Sequence, residues 1–428
     1  MVKIVIKIIA FFVFSLLFYS AFTQTDQGID LSACYQWAEE RLPVGQQPAL
    51  LQRQTQLKLE QIDLSRLPQL QLNASASYQS ETVRLPLEIP GMDIPELPLF
   101  RTQATVDGSY LLYDGGLSEA KKSTEQSALN TDLQKVVVEQ YPVRSQVNQA
   151  YFGVLLARAQ LDILEQSAEN LQNRINTLEA AKAGGVALQI DIDQLEVRRL
   201  EILQQAEQLK GRAAEALSTL ETLTGQEFPE STQLPLPDHS GFGFEQNIER
   251  PELQLFQLQK AQIASREGLI EASRKPKVNL FAQAGLGYPH PLNFFDDSLS
   301  PFAMGGIGFS WTITDWKKSS VDRQLLSVQT QLVENQKATF LDRIEKMKSP
   351  YRDKLQTLQQ LTVQGEKIRA LQEGILATFS DQLDQGVITS TDYIEQLNKT
   401  TQAQLNLELY EVQMAQLKTE YLTLTGGL

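Results

Sequence analysis

Pro68-Gln69-Leu70-Gln71-Leu72-Asn73-Ala74-Ser75-Ala76-Ser77-Tyr78 alternates residue by residue between apolar and polar side chains. Leu70, Leu72, Ala74, Ala76 and Tyr78 are apolar, and Gln71, Asn73, Ser75 and Ser77 between them are polar. Successive side chains of an extended chain point to opposite faces, so this period of two reads as a β-strand with one apolar and one polar face. The pattern recurs in Ala104, Val106, Gly108, Tyr110 and Leu112 against Gln103, Thr105, Asp107 and Ser109. Two further apolar faces follow: Val278 to Tyr288 at even positions, and Ala303, Gly305, Ile307, Phe309, Trp311 and Ile313 at odd ones. Each segment has about ten residues, the length of a tilted strand crossing a bilayer. Tyr78, Tyr110, Tyr288 and Trp311 fall near strand ends, where membrane barrels carry aromatic girdles. A soluble hairpin is the competing reading, and it would need a second layer over the apolar face.

These segments belong to a duplicated chain. Gly185-Val186 followed by Asp191 returns as Gly386-Val387 followed by Asp392, and Leu223-Thr224-Gly225 returns as Leu424-Thr425-Gly426. Asp114 returns as Asp315 at the same offset. Ordered matches at one offset indicate an internal repeat. Residues 24–229 form repeat one and 245–428 repeat two, with a proline-punctuated linker at 230–244. Strands are expected at about 68–79, 101–113, 276–288 and 302–314, with Pro-rich loops inside each pair.

Long helical hairpins at 117–225 and 316–425 complete each repeat. Leu161, Leu164, Ala168, Leu171, Ile175 and Leu178 step by three and four. So do Ala206, Leu209, Ala213, Ala216, Leu220 and Leu223, and their counterparts Leu407, Tyr410, Met414, Leu417, Tyr421 and Leu424. Such sustained seams pack as coiled coils. Pro142 and Pro350 interrupt the helical runs and should kink them. The fold class is therefore mainly α with a β-barrel portion. Four strands cannot close a barrel, and exposed edges are not tolerated in lipid, so the chain must oligomerise; three copies would give twelve strands.

Composition narrows the function. The 428 residues carry a net charge of −14, which argues against nucleic acid as partner. Mean hydropathy of −0.25 excludes a bundle of membrane helices. A basic start at Lys3 and Lys7 precedes an apolar run from Ile8 to Phe18, read as a signal peptide over 1–23, with an N-terminal anchor helix as the alternative. Leu31-Ser32-Ala33-Cys34 spells a lipoprotein signal but lies beyond Asp26 and Asp30, so the single cysteine reads as a small helix residue beside Trp37 and Ala38. The two histidines, His239 and His290, fall in loops. No phosphate loop, metal motif or nucleophile–base pair is present, so neither catalytic residue, metal nor cofactor is expected.

Two repeats of helix, paired strands and helical hairpin resemble the TolC-type outer-membrane efflux proteins. Tyr113-Asp114-Gly115-Gly116 is similar to that family's strand-to-helix junction, and the two Gly-Val…Asp segments to its hairpin turns. Repeat two departs at Asp315-Trp316-Lys317, where a looser turn is expected. The resemblance implies a homotrimer with a twelve-stranded barrel in the outer membrane of a Gram-negative bacterium, continuous with a twelve-helix periplasmic tunnel. It implies a passive duct that docks a periplasmic adaptor (membrane fusion) protein and an inner-membrane transporter, in efflux or type I secretion. It places the hairpin tips Gly185, Val186, Gly386 and Val387 at the periplasmic mouth, in possible adaptor contact, with Asp392, Glu395 and Asp191 as aperture candidates. Asp392 and Asp191 each begin a helix, so capping competes with gating for both. A coiled-coil stalk without transport activity is the alternative function; it accounts for the heptads and not for the strands.

Overall fold

A computed structural model describes residues 28–82, 98–185, 187–245, 247–293 and 296–428. The expected signal peptide, Val186 and the loop prolines Pro86, Pro90 and Pro95 lie outside them. In chain order the elements are α1 (Leu31–Arg41), α2 (Gln47–Leu64), β1 (Gln69–Tyr78), β2 (Phe100–Tyr113), α3 (Leu117–Gln140), α4 (Val143–Ala183) and α5 (Gln189–Thr224). After the linker come α6 (Pro251–Ser265), α7 (Glu267–Arg274), β3 (Lys277–Tyr288), β4 (Ser300–Ser310), α8 (Lys318–Asp384) and α9 (Ser390–Thr425). Contacts divide the chain into two units that cut across the repeats: 46–138 with 251–340, and 1–45 with 139–250 and 341–428.

The first unit holds one antiparallel sheet in the order β1-β2-β3-β4. Leu72 pairs with Val106, Val106 with Ala284, and Ala284 with Ala303, so the apolar positions of all four strands share one face. That face is bare: Leu70 is 77%, Leu72 79% and Ile307 70% exposed. Two boundaries differ from expectation. β4 stops at Ser310 rather than 314, because its partner β3 begins at Lys277, opposite Ser310, and Pro276 before it has no N–H to continue the ladder. Pro301, expected in the loop, lies in β4, an edge strand where a missing donor is tolerated.

The two strand-to-helix junctions are built alike. Asp114 Oδ1 accepts the Gly116 N–H at 2.9 Å and Oδ2 the Ser118 N–H at 2.7 Å. Asp315 accepts the Lys317 N–H at 3.2 Å and the Ser319 N–H at 3.1 Å, with the Ser319 hydroxyl as a further donor. These bonds from Ser319 hold the Asp315 carboxyl below its ordinary range. The expected looser turn in repeat two is therefore corrected: Trp316 (φ 50°) and Lys317 (φ 71°) adopt the left-handed conformation that Gly115 (φ 72°) and Gly116 (φ 87°) adopt in repeat one. The carboxylate hydrogen bonds dictate the turn in both places, and in repeat two they hold it against the steric cost of a Cβ.

The second unit is helical, with two apolar clusters. In one, Tyr151, Phe152, Val147 and Leu220 pack with Cys34 and Ala38 of α1. Tyr151 is fully buried and its hydroxyl donates to the Pro235 and Ile29 carbonyls at 2.7 and 3.1 Å, which fixes the linker to α4. Burial pushes the Cys34 thiol up to about 12, so it is an inert core residue. In the other cluster Leu164, Leu171 and Leu178 of α4 meet Ile192, Leu195 and Ile202 of α5, together with Tyr393 and Leu397 of α9. The heptad seam is thus the core of the hairpin. Pro142 divides the first hairpin's leading helix into α3 and α4. α8, in contrast, runs through Pro350 for 67 residues, about 100 Å at 1.5 Å per residue. Lys346, four residues earlier, is exposed, so the carbonyl that loses its helical partner can bond to water.

A Cβ on Gly115 would lie 2.8 Å from the Lys275 Cβ and 3.0 Å from the Ala272 carbonyl oxygen, whereas one on Gly116 would meet nothing within 4 Å. Gly116→Ala should therefore cost only the left-handed backbone term, about 1–2 kcal/mol. Gly115→Ala should lower the thermal transition further, as read by calorimetry of the detergent-solubilised protein. Leu195→Ala, at a fully buried hairpin position, should cost about 2–5 kcal/mol in the same measurement.

Candidate functional site

Two regions gather polar side chains, one in each unit. The first is the polar face of the sheet. Asp107 of β2 accepts from Asn73 Nδ2 of β1 at 2.6 Å, from Gln283 Nε2 of β3 at 2.5 Å and from Thr105 Oγ1 at 3.0 Å. One carboxylate is thereby fixed across three strands. Arg101, opposite Ser77 near the loop end of the same face, lines a cavity of about 310 Å³ with Ser75, Gln103 and His290, and its Nε has no hydrogen-bond partner among the described residues. The sequence marks Asp107 and Arg101 only as polar positions in an alternating run; the register makes them neighbours of residues far away in the chain.

The polar lining is not uniform. On β3 and β4 this face carries Gly285, Gly287, Gly306 and Gly308 beside Phe281 and Phe302. A Cβ at Gly306 would stand 2.9 Å from the Phe281 ring, so the glycines make room for the aromatic side chains. Gln, Asn, Ser and Thr predominate on β1 and β2, while β3 and β4 intersperse Asn279, Gln283 and Ser300 with glycine and phenylalanine.

The second region is formed by the hairpin tips. Gly386 (φ 69°) ends α8: its N–H donates to the Leu383 carbonyl at 3.0 Å and the Val387 N–H to the Gln382 carbonyl at 2.9 Å, the paired bonds of a left-handed helix stop. Gly185 (φ 76°) ends α4 in the same way, donating to Lys182 at 2.8 Å. A Cβ at either glycine would meet nothing within 4 Å, so backbone conformation alone selects glycine there. Val387 is 66% exposed, and Leu188 and Ile190 at the other tip are also exposed.

Asp392 is the N3 member of a capping box at the start of α9, with Thr389 as the N-cap. Its carboxylate accepts the Thr389 N–H at 3.0 Å and hydroxyl at 2.6 Å, while its own N–H donates to Thr389 Oγ1 at 3.2 Å. The Thr389 hydroxyl and backbone hold the Asp392 carboxyl below its ordinary range, so it stays charged at neutral pH. Glu395, one turn on, is exposed and pairs with Lys399 at 2.6 Å. Asp191 occupies the first turn of α5, but Leu188 replaces the capping threonine and no side-chain cap forms. The tips of the two hairpins are joined by Thr391 Oγ1 donating to Gln194 Oε1 at 3.1 Å.

One residue here escaped the sequence reading. Arg174 of α4 is buried, stacks on Tyr393 with its guanidinium carbon 5.2 Å from the ring centroid, and binds Asp384 and Ser380 of α8. It ties the first hairpin to the second within one chain. Arg174 sits between Leu171 and Leu178 at helical spacing, where a charge reads as the edge of the apolar stripe; only the packing of α4 against α8 and α9 shows it buried. No group of three or more potential metal ligands occurs among the described residues.

No protein-family model and no curated protein sequence matches the chain. Solved structures do. CusC, described in terms of transmembrane channel formation, is 15% identical with a TM-score of 0.62, covering 95% of each chain. The outer-membrane protein VceC of Vibrio cholerae is 16% identical with a TM-score of 0.59, over 92% of this chain and 96% of its own. The MtrE outer-membrane channel of Neisseria gonorrhoeae, in its open state, is 15% identical with a TM-score of 0.59, over 92% and 88%. At this identity the likeness is one of fold, and it spans the helices, the sheet and the hairpins together: the chain has the fold of the TolC-type outer-membrane channels.

Proposed function

We propose that this protein is the outer-membrane channel of an export machine, a passive homotrimeric duct and not an enzyme. The carrying observation is the sheet. Its apolar face is exposed from end to end, and its edge strands β1 and β4 each have one partner only. β1 and β4 run in opposite directions, so β4 of one copy and β1 of the next can continue the antiparallel ladder. Three copies close a twelve-stranded barrel with lipid outside and the face of Asp107 and Arg101 inside. No helix among the described residues is long and apolar enough to cross a membrane. A coiled-coil stalk gives this sheet no role.

The helices support the same assembly. Val321, Leu325, Val328 and Leu332 step by four, three and four along α8, and each is more than half exposed. Leu50, Leu57 and Leu64 form a second exposed seam on α2. Both are exposed coiled-coil stripes among the described residues, and neighbouring copies would cover them in a twelve-helix periplasmic tunnel. The exposed tip residues Leu188, Ile190 and Val387, with Val186 beside Gly185, would meet a periplasmic adaptor that couples the duct to an inner-membrane transporter, for efflux or type I secretion. In a trimer, Asp392 and Glu395 would bring six carboxylates to the aperture and favour cations. Asp392 caps its helix and can do this while charged.

Cryo-EM of protein extracted from outer-membrane fractions should show a threefold particle with a barrel and a central lumen; a monomer, or a particle without a lumen, refutes the duct. In planar bilayers the Asp392→Asn/Glu395→Gln variant should lose cation preference relative to the parent, and unchanged reversal potentials would remove the acidic aperture. Releasing the Arg174 tie by Asp384→Ala should raise single-channel conductance, because the two hairpins then part more readily at the tips.

A further inference from the structure

At the helix-proximal end of the β3–β4 hairpin, cations gather in a chain whose net charge is −14. Arg274 and Lys275 lead into β3, and Lys317 and Lys318 follow β4; Lys277 opens β3 on the polar face it shares with Gln283 and is not counted with them. Lys277 is paired with Ser310, the last residue of β4, so both basic runs lie at one end of the hairpin. Arg274, Lys275, Lys317 and Lys318 are exposed. Neither Lys275, Lys317 nor Lys318 joins an ion pair among the described residues, and Arg274 reaches Asp315 only at 3.9 Å. Asp315 is already engaged by the turn it holds.

Two of the three tryptophans lie at this same end. Trp311 continues the apolar face with Ile313 and donates its indole N–H to the Arg274 carbonyl at 3.0 Å. Trp316 is 90% exposed and has no packing partner to explain its presence. Trp316 and Lys317 hold left-handed φ values that the corresponding Gly115 and Gly116 hold without steric cost. Neither turn geometry nor packing within the chain selects tryptophan and lysine here. An aromatic ring with a polar edge, and ammonium groups on apolar stems, are the side chains that settle between hydrocarbon and headgroups.

We propose that this end of the hairpin is a headgroup-binding anchor for an anionic phospholipid leaflet. It rests on the membrane-spanning reading of the sheet. The apolar face passes through Ile307 and Phe309 into Trp311 and Ile313, then into the cations, which is the order of chemistry met on leaving a bilayer. An acidic protein is repelled by an anionic surface, and concentrating unpaired lysines at the contact reverses that locally. The corresponding positions of repeat one are Gly115, Gly116 and Leu117, so the anchor would occur once per chain.

The full-length protein is reconstituted in nanodiscs of phosphatidylcholine, with or without phosphatidylglycerol, and lipids retained after detergent extraction are quantified. Wild type should enrich phosphatidylglycerol, and the Lys275→Gln/Lys317→Gln/Lys318→Gln variant should lose that enrichment by about fivefold or more. Trp316→Gly, which relieves the turn, should assemble normally and show less tryptophan quenching by headgroup-labelled lipid than wild type, the remainder coming from Trp311. Equal enrichment in wild type and the lysine variant, or quenching unchanged in Trp316→Gly, overturns the anchor. So does a lysine variant that fails to assemble in every lipid, which would assign the patch to contact between copies. Wild type that enters neither bilayer overturns the membrane reading itself.

Discussion

A four-stranded antiparallel sheet with one continuous apolar face and two open edges cannot be a finished structure. Backbone N–H and C=O groups along β1 and β4 need partners, and the apolar side chains from Leu70 to Phe309 need an apolar surround. The described residues supply neither. The proposed assembly would complete the strands from outside, and the helices fit that reading. The helices that flank the sheet carry exposed heptad seams, so they too are unfinished as single copies. Their faces buried within the chain are finished, with Leu171, Leu195, Ile202 and Tyr151 fully enclosed.

Polar chemistry in this fold fixes conformation more than it performs reactions. Asp114 and Asp315 hold the turns between strand and helix, and Asp392 begins α9. Arg174 ties the two hairpins, and the Tyr151 hydroxyl secures the linker. Asp107 is different: three side chains orient its carboxylate on the polar face of the sheet, where a passing solute would meet it in the proposed duct. The two repeats share a plan and diverge in detail. The first has glycines at its junction and polar residues along one strand face; the second has Trp316 and Lys317 at the junction and glycine–phenylalanine packing on that face.

The sequence by itself determined which segments are strands and which are helices, because the period of an apolar pattern follows directly from backbone geometry. Leu70 to Tyr78 could only be a two-faced strand, and Leu164 to Leu178 only a helix with one buried stripe. The glycines at 185 and 386 announced the hairpin stops, since a left-handed residue at the end of a helix disfavours a Cβ. The duplicated Asp at 114 and 315 located the junctions. What only the tertiary structure decided depends on residues distant in the chain. Strand register brought Asn73 and Gln283 to Asp107, and helix packing buried Arg174 against Asp384. The turn at Trp316-Lys317 also needed the fold, because local preference opposes left-handed residues with side chains and the Asp315 hydrogen bonds override it. Periodicity is a property of the single chain; register, burial of a charge and tolerated strain arise from the balance among segments brought together by folding.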